Sequence, residues 1–146
     1  MIFLIGFSED EVNLIRETFN GVPVYEIPSY CRDWVLKEIV EKADSLKGSG
    51  NWHERKFFLM HDLSNDEVKE ALGKMKSLGF RGGVIYATTT PTSLTMKLDE
   101  LIEEWLEEDA YFRQLRRMKR GGRTWILEGG ELVKSQEVYL RLLPFL

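Results

Sequence analysis

Cysteine is nearly missing from this chain. Cys31 is the single one in 146 residues, which excludes an intrachain disulfide and any cysteine-based metal cluster. Histidine is almost as scarce, with His53 and His61 alone, and the two never form the His-Glu-x-x-His spacing of a zinc hydrolase. No metal and no cofactor are therefore expected. Long apolar runs are lacking as well: no stretch reaches the ~18 apolar residues of a membrane span. The opening "MIFLIGFSEDE" has no basic region ahead of its short apolar run, and acid directly behind it, unlike a signal peptide. Net positive charge is absent too. At −4 overall, the molecule has no electrostatic reason to coat nucleic acid or an anionic membrane. These absences predict a cytoplasmic protein that does not bind membranes, with nucleic acid an unlikely partner. Glutamine is rare beside abundant Glu, Lys and Arg, a composition found in thermophiles.

What remains is an ordinary globular composition, 43% hydrophobic and 30% charged, at the commonest length for a single domain. Short apolar runs alternate with amphipathic ones. "IFLI" (Ile2 to Ile5), "VPVYEI", "KFFLMH" (Lys56 to His61) and "GGVIYATT" read as strands, the first and third suited to burial on both faces. Ser8 and Glu11 have the spacing of a capping box before Val12, Ile15 and Phe19, and Asn20–Gly21 stops that helix. A second helix is expected over "PSYCRDWVLKEIVEKADSL", capped by Ser29, with Val35, Leu36, Ile39, Val40 and Ala43 on one face. Ser64 and Glu67 repeat the capping box before Val68, Ala71, Leu72, Met75 and Leu78, with Gly79 as the stop. A long fourth helix carries Leu98, Leu101, Ile102, Trp105, Leu106, Phe112, Leu115 and Met118, unless it breaks near Asp109. "RTWILEGGELVK" reads as a β-hairpin turning at Gly129–Gly130, and "EVYLRLLPFL" as a last strand or short helix.

The pattern predicts one α/β domain over 1–146: a mostly parallel sheet of about four strands with crossover helices, plus a C-terminal β-hairpin. The chain also resembles itself. "FLIGFSEDEV" (Phe3 to Val12) lines up with "FLMHDLSNDEV" (Phe58 to Val68) with one residue inserted. An internal tandem β-α-β repeat over 1–28 and 56–91 is the expectation, set against shared helix-start chemistry.

In parallel sheets ligands sit outside the carboxyl ends of the strands. Those ends here are Gly6–Phe7–Ser8, His61–Asp62 and Thr88–Thr89–Thr90, so a crevice among "GFS", "HD" and "TTTPTS" is the expected site. Its candidate residues are Ser8, His61, Asp62, Thr88, Thr89, Thr90, Thr92 and Ser93. Hydroxyls and amides at a helix start can hold an anion; alternatively Pro91 ends the strand and Thr92, Ser93 or Thr95 caps the next helix. An Asp beside a His suits general-base work, although neighbouring strand residues point to opposite faces. Asp62 and Thr88 could also fill two places of a phosphoryl-receiver site, but no acidic pair follows the first strand outside a helix start.

Three other segments carry candidate chemistry. In "KGSGNWHER" the candidates are Asn51, Trp52 and His53; the loop lacks both the GxxxxGK[ST] and GxGxxG patterns, and an indole in a polar loop usually covers something. The basic run Arg113, Arg116, Arg117, Lys119, Arg120 and Arg123 could meet phosphates, but acid first and base last is what a helix dipole favours, and it lets two such helices pair antiparallel in a dimer. Cys31 reads as a buried structural thiol rather than an activated one.

The stretches "SNDEVKEAL", "YATTTPTSLTMKLDEL" and "LEE" resemble a small prokaryotic family of uncharacterised domains of unknown function, over roughly Leu63 to Phe112. Thr90, Pro91, Thr92, Leu98 and Leu101 match that family's pattern, while Ser93 stands where Asn is common and Met96 where Trp is. The resemblance implies no activity. The expectation is thus a non-catalytic interaction or regulatory module acting as a homo-oligomer. Its alternative is a small-ligand (anion or nucleotide) binding protein or enzyme.

Overall fold

The computed structural model describes residues 1–80 and 82–120, with only the backbone of 116–120. The expected C-terminal hairpin and final strand or helix lie outside the described residues, as do Arg123 and the side chains of Arg116, Arg117, Lys119 and Arg120.

Four strands form one sheet: β1 (Ile2–Ile5), β2 (Val24–Glu26), β3 (Lys56–Met60) and β4 (Val84–Thr88), in the order β2-β1-β3-β4. The two central strands are those with continuous apolar runs. All of Ile2–Ile5 and Phe57–Met60 are buried, because a central strand needs cover on both faces. Helices α1 (Glu9–Thr18) and α3 (Asn65–Ser77) cover one face, where Val12, Ile15, Phe19, Val68, Leu72 and Met75 meet Ile2, Leu4, Phe58 and Met60. On the other, α2 (Leu36–Glu41) and α4 (Leu98–Arg120) pack Leu36, Ile39, Leu98, Leu101, Ile102 and Trp105 against Phe3, Phe57, Leu59 and Ile85. The result is an α/β protein with helices on both sides of a mixed, mostly parallel sheet.

Both capping boxes form. The hydroxyls of Ser8 and Ser64 accept from the amides of Glu11 and Glu67, whose carboxylates accept from the serine amides in return. Helix α4 continues without a break at Asp109, whose carboxylate meets Arg113 one turn on at 3.0 Å and Arg55 at 2.7 Å.

The expected second helix is the main correction to the elements. Ser29 does not cap it. Residues Ser29–Cys31 form a 3-10 turn without a side-chain cap, α2 spans only Leu36–Glu41, and a further 3-10 turn follows at Ala43–Ser45. The interruption has a tertiary cause. Val35 is bridged antiparallel to Lys97, with Leu36 N–H donating to Met96 O and Leu98 N–H to Trp34 O, both at 2.9 Å. Those bonds require extended backbone where helical spacing alone would continue the helix. Likewise Thr92, Ser93 and Thr95 do not cap α4: Ser93–Thr95 is a 3-10 turn and α4 starts at Leu98.

Strand direction decides where a site can be. β1–β2 and β3–β4 are parallel, but β1 and β3 are antiparallel, with Ile2 opposite Met60 and Ile5 opposite Phe57. The carboxyl ends of β1 and β2 therefore lie at one edge of the sheet, and those of β3 and β4 at the other. An antiparallel seam between two parallel pairs leaves no periodic trace in either strand.

Candidate functional site

Ser8 is accordingly separated from the other candidates by the length of the central strands. The expected three-way convergence of "GFS", "HD" and "TTTPTS" does not occur. At the β3 and β4 end, Met60, His61, Asp62, Thr88, Thr89 and Thr90 line a crevice of about 230 Å³, together with apolar groups such as Leu63 and Leu94.

Each polar group there has a definite state. His61 Nδ1 is 2.8 Å from Thr89 Oγ1. Its backbone is locked into the sheet, with His61 N–H donating to Met1 O at 2.9 Å and the Met1 ammonium donating to His61 O at 3.1 Å. Burial lowers the His61 pKa; the Asp62 carboxylate opposes this, and the Met1 ammonium adds to it. The ring is thus neutral at neutral pH. Below the ordinary value of 6.5 the unfolded chain takes up a proton that the folded chain resists. Stability is undiminished above that value and falls with pH from there through the lower folded value. His61→Gln is expected to flatten the melting-temperature profile between about pH 7 and pH 5, in melts across that range.

Asp62 makes the turn out of β3 at φ 57, the one non-glycine residue with positive φ among the described residues. Thr90 and Ser93 are used up on each other: Thr90 N–H donates to Ser93 Oγ at 2.8 Å and Ser93 N–H to Thr90 Oγ1 at 3.0 Å. That pair shapes the wall beside the bonded pair of His61 and Thr89 and the turn residue Asp62. Thr92 is exposed beside the 3-10 turn and, like Ser93, does not line the crevice.

The loop candidates have a different role. Trp52 Nε1–H donates to Ile27 O at 2.7 Å, the indole packs on the core, and the Arg32 guanidinium lies 5.6 Å from its ring centroid. His53 Nδ1 accepts from Arg55 N–H at 3.0 Å and its ring stands edge-on to Phe57. Asn51 is exposed. These residues cover the carboxyl ends of β1 and β2, which the spacing of "GSGNW" did not reveal. Cys31 is fully buried and burial pushes its thiol up to about 11, so it is no nucleophile at neutral pH. Among the described residues no cluster of three or more His, Cys, Asp or Glu could hold a metal, and no helix is long and apolar enough to cross a membrane.

Fold and crevice together define a class: an α/β protein built of two β-α-β halves, with a small polar crevice at the strand ends of the second. Residues 56–112, which make up most of that second half, match the family model of a domain of unknown function (DUF3783). The match stops short of the first half. No curated protein and no solved structure matches the chain.

Proposed function

We propose that the protein is a non-catalytic interaction module of the cytoplasm, whose ligand sits in the crevice between the β3 and β4 ends. Asp62 carries this reading. A left-handed turn is cheapest with glycine, and the corresponding turn out of β1 uses Gly6 at φ 85. Keeping a carboxylate at the mouth of a crevice, beside a neutral imidazole, favours a ligand that brings a hydrogen-bond donor or a positive charge. An anion or nucleotide, the alternative considered from sequence, would meet that carboxylate at close range. Catalysis finds no support in a single imidazole and a single carboxylate with no activated nucleophile beside them. A homo-oligomer remains part of this proposal through a surface other than the apolar face of α4, because Leu98, Leu101, Ile102 and Trp105 are spent in the chain's own core.

The test is thermal-shift screening with amines, amides, nucleotides, sugar phosphates and divalent metals, on the wild type and on Asp62→Gly. The variant is expected to fold with stability within about 1 kcal/mol of the wild type, since glycine suits the turn. Neutral or cationic ligands are expected to raise the wild-type melting temperature and to leave the variant's unchanged. Equal responses in both proteins, or none in the wild type, would remove Asp62 from the site.

A further inference from the structure

The two halves share one order of elements and one pattern of strand pairing, and the loop between them occupies the strand ends of the first. Each half runs strand, capped helix, strand, 3-10 turn, bridge residue, helix. "IFLIGFSEDEV" (2–12) corresponds to "FLMHDLSNDEV" (58–68) without a gap, so the residue inserted in the sequence alignment disappears. This correspondence sets Ile2 on Phe58 and Leu4 on Met60. The observed pair Ile2–Met60 then maps onto the pair Leu4–Phe58, and Phe3 pairs with its own counterpart Leu59. Only a local two-fold axis through the sheet makes a register its own image. Setting Val35 on Lys97 puts Trp34 on Met96 and Leu36 on Leu98. The bond Leu36 N–H to Met96 O then becomes Leu98 N–H to Trp34 O, which is present at the same 2.9 Å. In the same way Ile27 N–H to Leu4 O corresponds to Thr89 N–H to Met60 O.

Under this correspondence the first-half counterpart of the crevice is filled by the connecting loop. Gly6 N–H donates to Gly50 O at 2.8 Å, Gly50 N–H donates to Glu26 Oε1 at 3.0 Å, and Trp52 Nε1–H reaches Ile27 O under Arg32. A Cβ on Gly50 would stand 2.7 Å from Leu4 O, so only a glycine passes there. The residues touched are Leu4, Gly6, Glu26, Ile27 and Arg32. Their counterparts are Met60, Asp62, Thr88, Thr89 and Leu94, and all five line the crevice.

We infer that the crevice is a docking seat for an extended polypeptide segment of a partner protein, with glycine at the seat of Gly50 and tryptophan two residues later. This rests on the reading that the crevice is the ligand site. In the seat, Asp62 N–H faces the glycine carbonyl as Gly6 N–H faces that of Gly50, and the indole N–H is directed to Thr89 O as Trp52 is to Ile27 O. Three counterparts differ in charge. Asp62 replaces a glycine, Leu94 replaces Arg32 and Thr88 replaces Glu26, so the seat is one unit more negative than its first-half counterpart and selects a segment with basic rather than acidic flanks.

The test is an amide chemical-shift titration of the full chain with the capped peptide Gly-Ser-Gly-Asn-Trp-His, the sequence of residues 48–53. Shifts are expected to centre on His61, Asp62, Thr89 and Leu94. Replacing the peptide's Trp by Ala should weaken binding about tenfold or more, from lost aromatic burial. Leu94→Arg, which installs the stacking partner of the first half, should tighten it about threefold. Shifts at the crevice with amines or amides but none with the peptide would overturn this inference and leave the crevice as a small-molecule site. No shifts there with any probe would overturn both. Self-association of the chain that the peptide displaces would place a second copy in the seat, and would overturn the partner-protein source.

Discussion

Gly6→Ala is expected to lower stability by on the order of 4 kcal/mol, because two costs act at one atom. Gly6 sits at φ 85, where any side chain costs roughly 1–2 kcal/mol. A Cβ built there also runs into the backbone carbonyl of Arg55, one residue before β3. A side-chain tip could swing away, but this carbonyl is tied to the start of the central strand, so relief means displacing the β1–β3 seam. For a domain with ~5–15 kcal/mol in total, that loss lowers the melting temperature by more than about 10 °C. Circular dichroism melts of wild type and variant measure it. A drop of only a degree or two would mean that Arg55 does not close against the end of β1.

The second large effect is expected for Trp105→Ala. Trp105 is 6% exposed and packs with Leu101, Ile102 and Phe57 on the face opposite α1 and α3. Truncating such a side chain costs about 3–5 kcal/mol, from lost burial and the cavity left behind. The same residue separates two uses of α4. As part of the core, its loss lowers denaturant stability at every protein concentration. As part of a dimer surface, its loss changes the oligomeric state and leaves the monomer's stability alone. Urea melts at two widely spaced protein concentrations are expected to show the same loss in both.

Element types were legible where local chemistry decides them. The Ser-x-x-Glu steps at Ser8 and Ser64 marked both helix starts, and the apolar runs "IFLI" and "KFFLM" marked the central strands. The two capping boxes also suggest the proposed repeat, although aligning Phe3 with Phe58 sets together residues from opposite faces of the sheet. Burial resolves this: Phe3 packs towards α2 and α4, Phe58 towards α1 and α3. What stayed hidden was long-range. Nothing local to Val35 or Lys97 announces that they bridge, so helical spacing alone extends the second helix too far. Nothing in β1 or β3 announces that they run antiparallel, so sequence position alone groups Ser8 with His61. The lining of the candidate crevice is half legible for the same reason. His61, Asp62 and Thr89 follow from their place after a strand, whereas Leu63, Val68 and Leu94 read only as the apolar faces of their own segments. Trp52, a candidate for gripping a ligand on its sequence, lies over the end of β2, with Nε1–H donating to Ile27 O.

The central claim is that the chain holds two equivalent seats, one filled by Gly50–Trp52 and one lined by Met60, Asp62, Thr88, Thr89 and Leu94 at the ends of β3 and β4. Indole binding to wild type and to Trp52→Gly, followed by amide chemical shifts, tests this most directly. The wild type is expected to respond at one place, around His61, Thr89 and Leu94. The variant is expected to respond there and also around Leu4, Ile27 and Arg32, with indole recovering part of the lost melting temperature as it refills the vacated seat. A variant that gains no second set of shifts, or a wild type that responds anywhere but the crevice, would contradict the equivalence of the two seats.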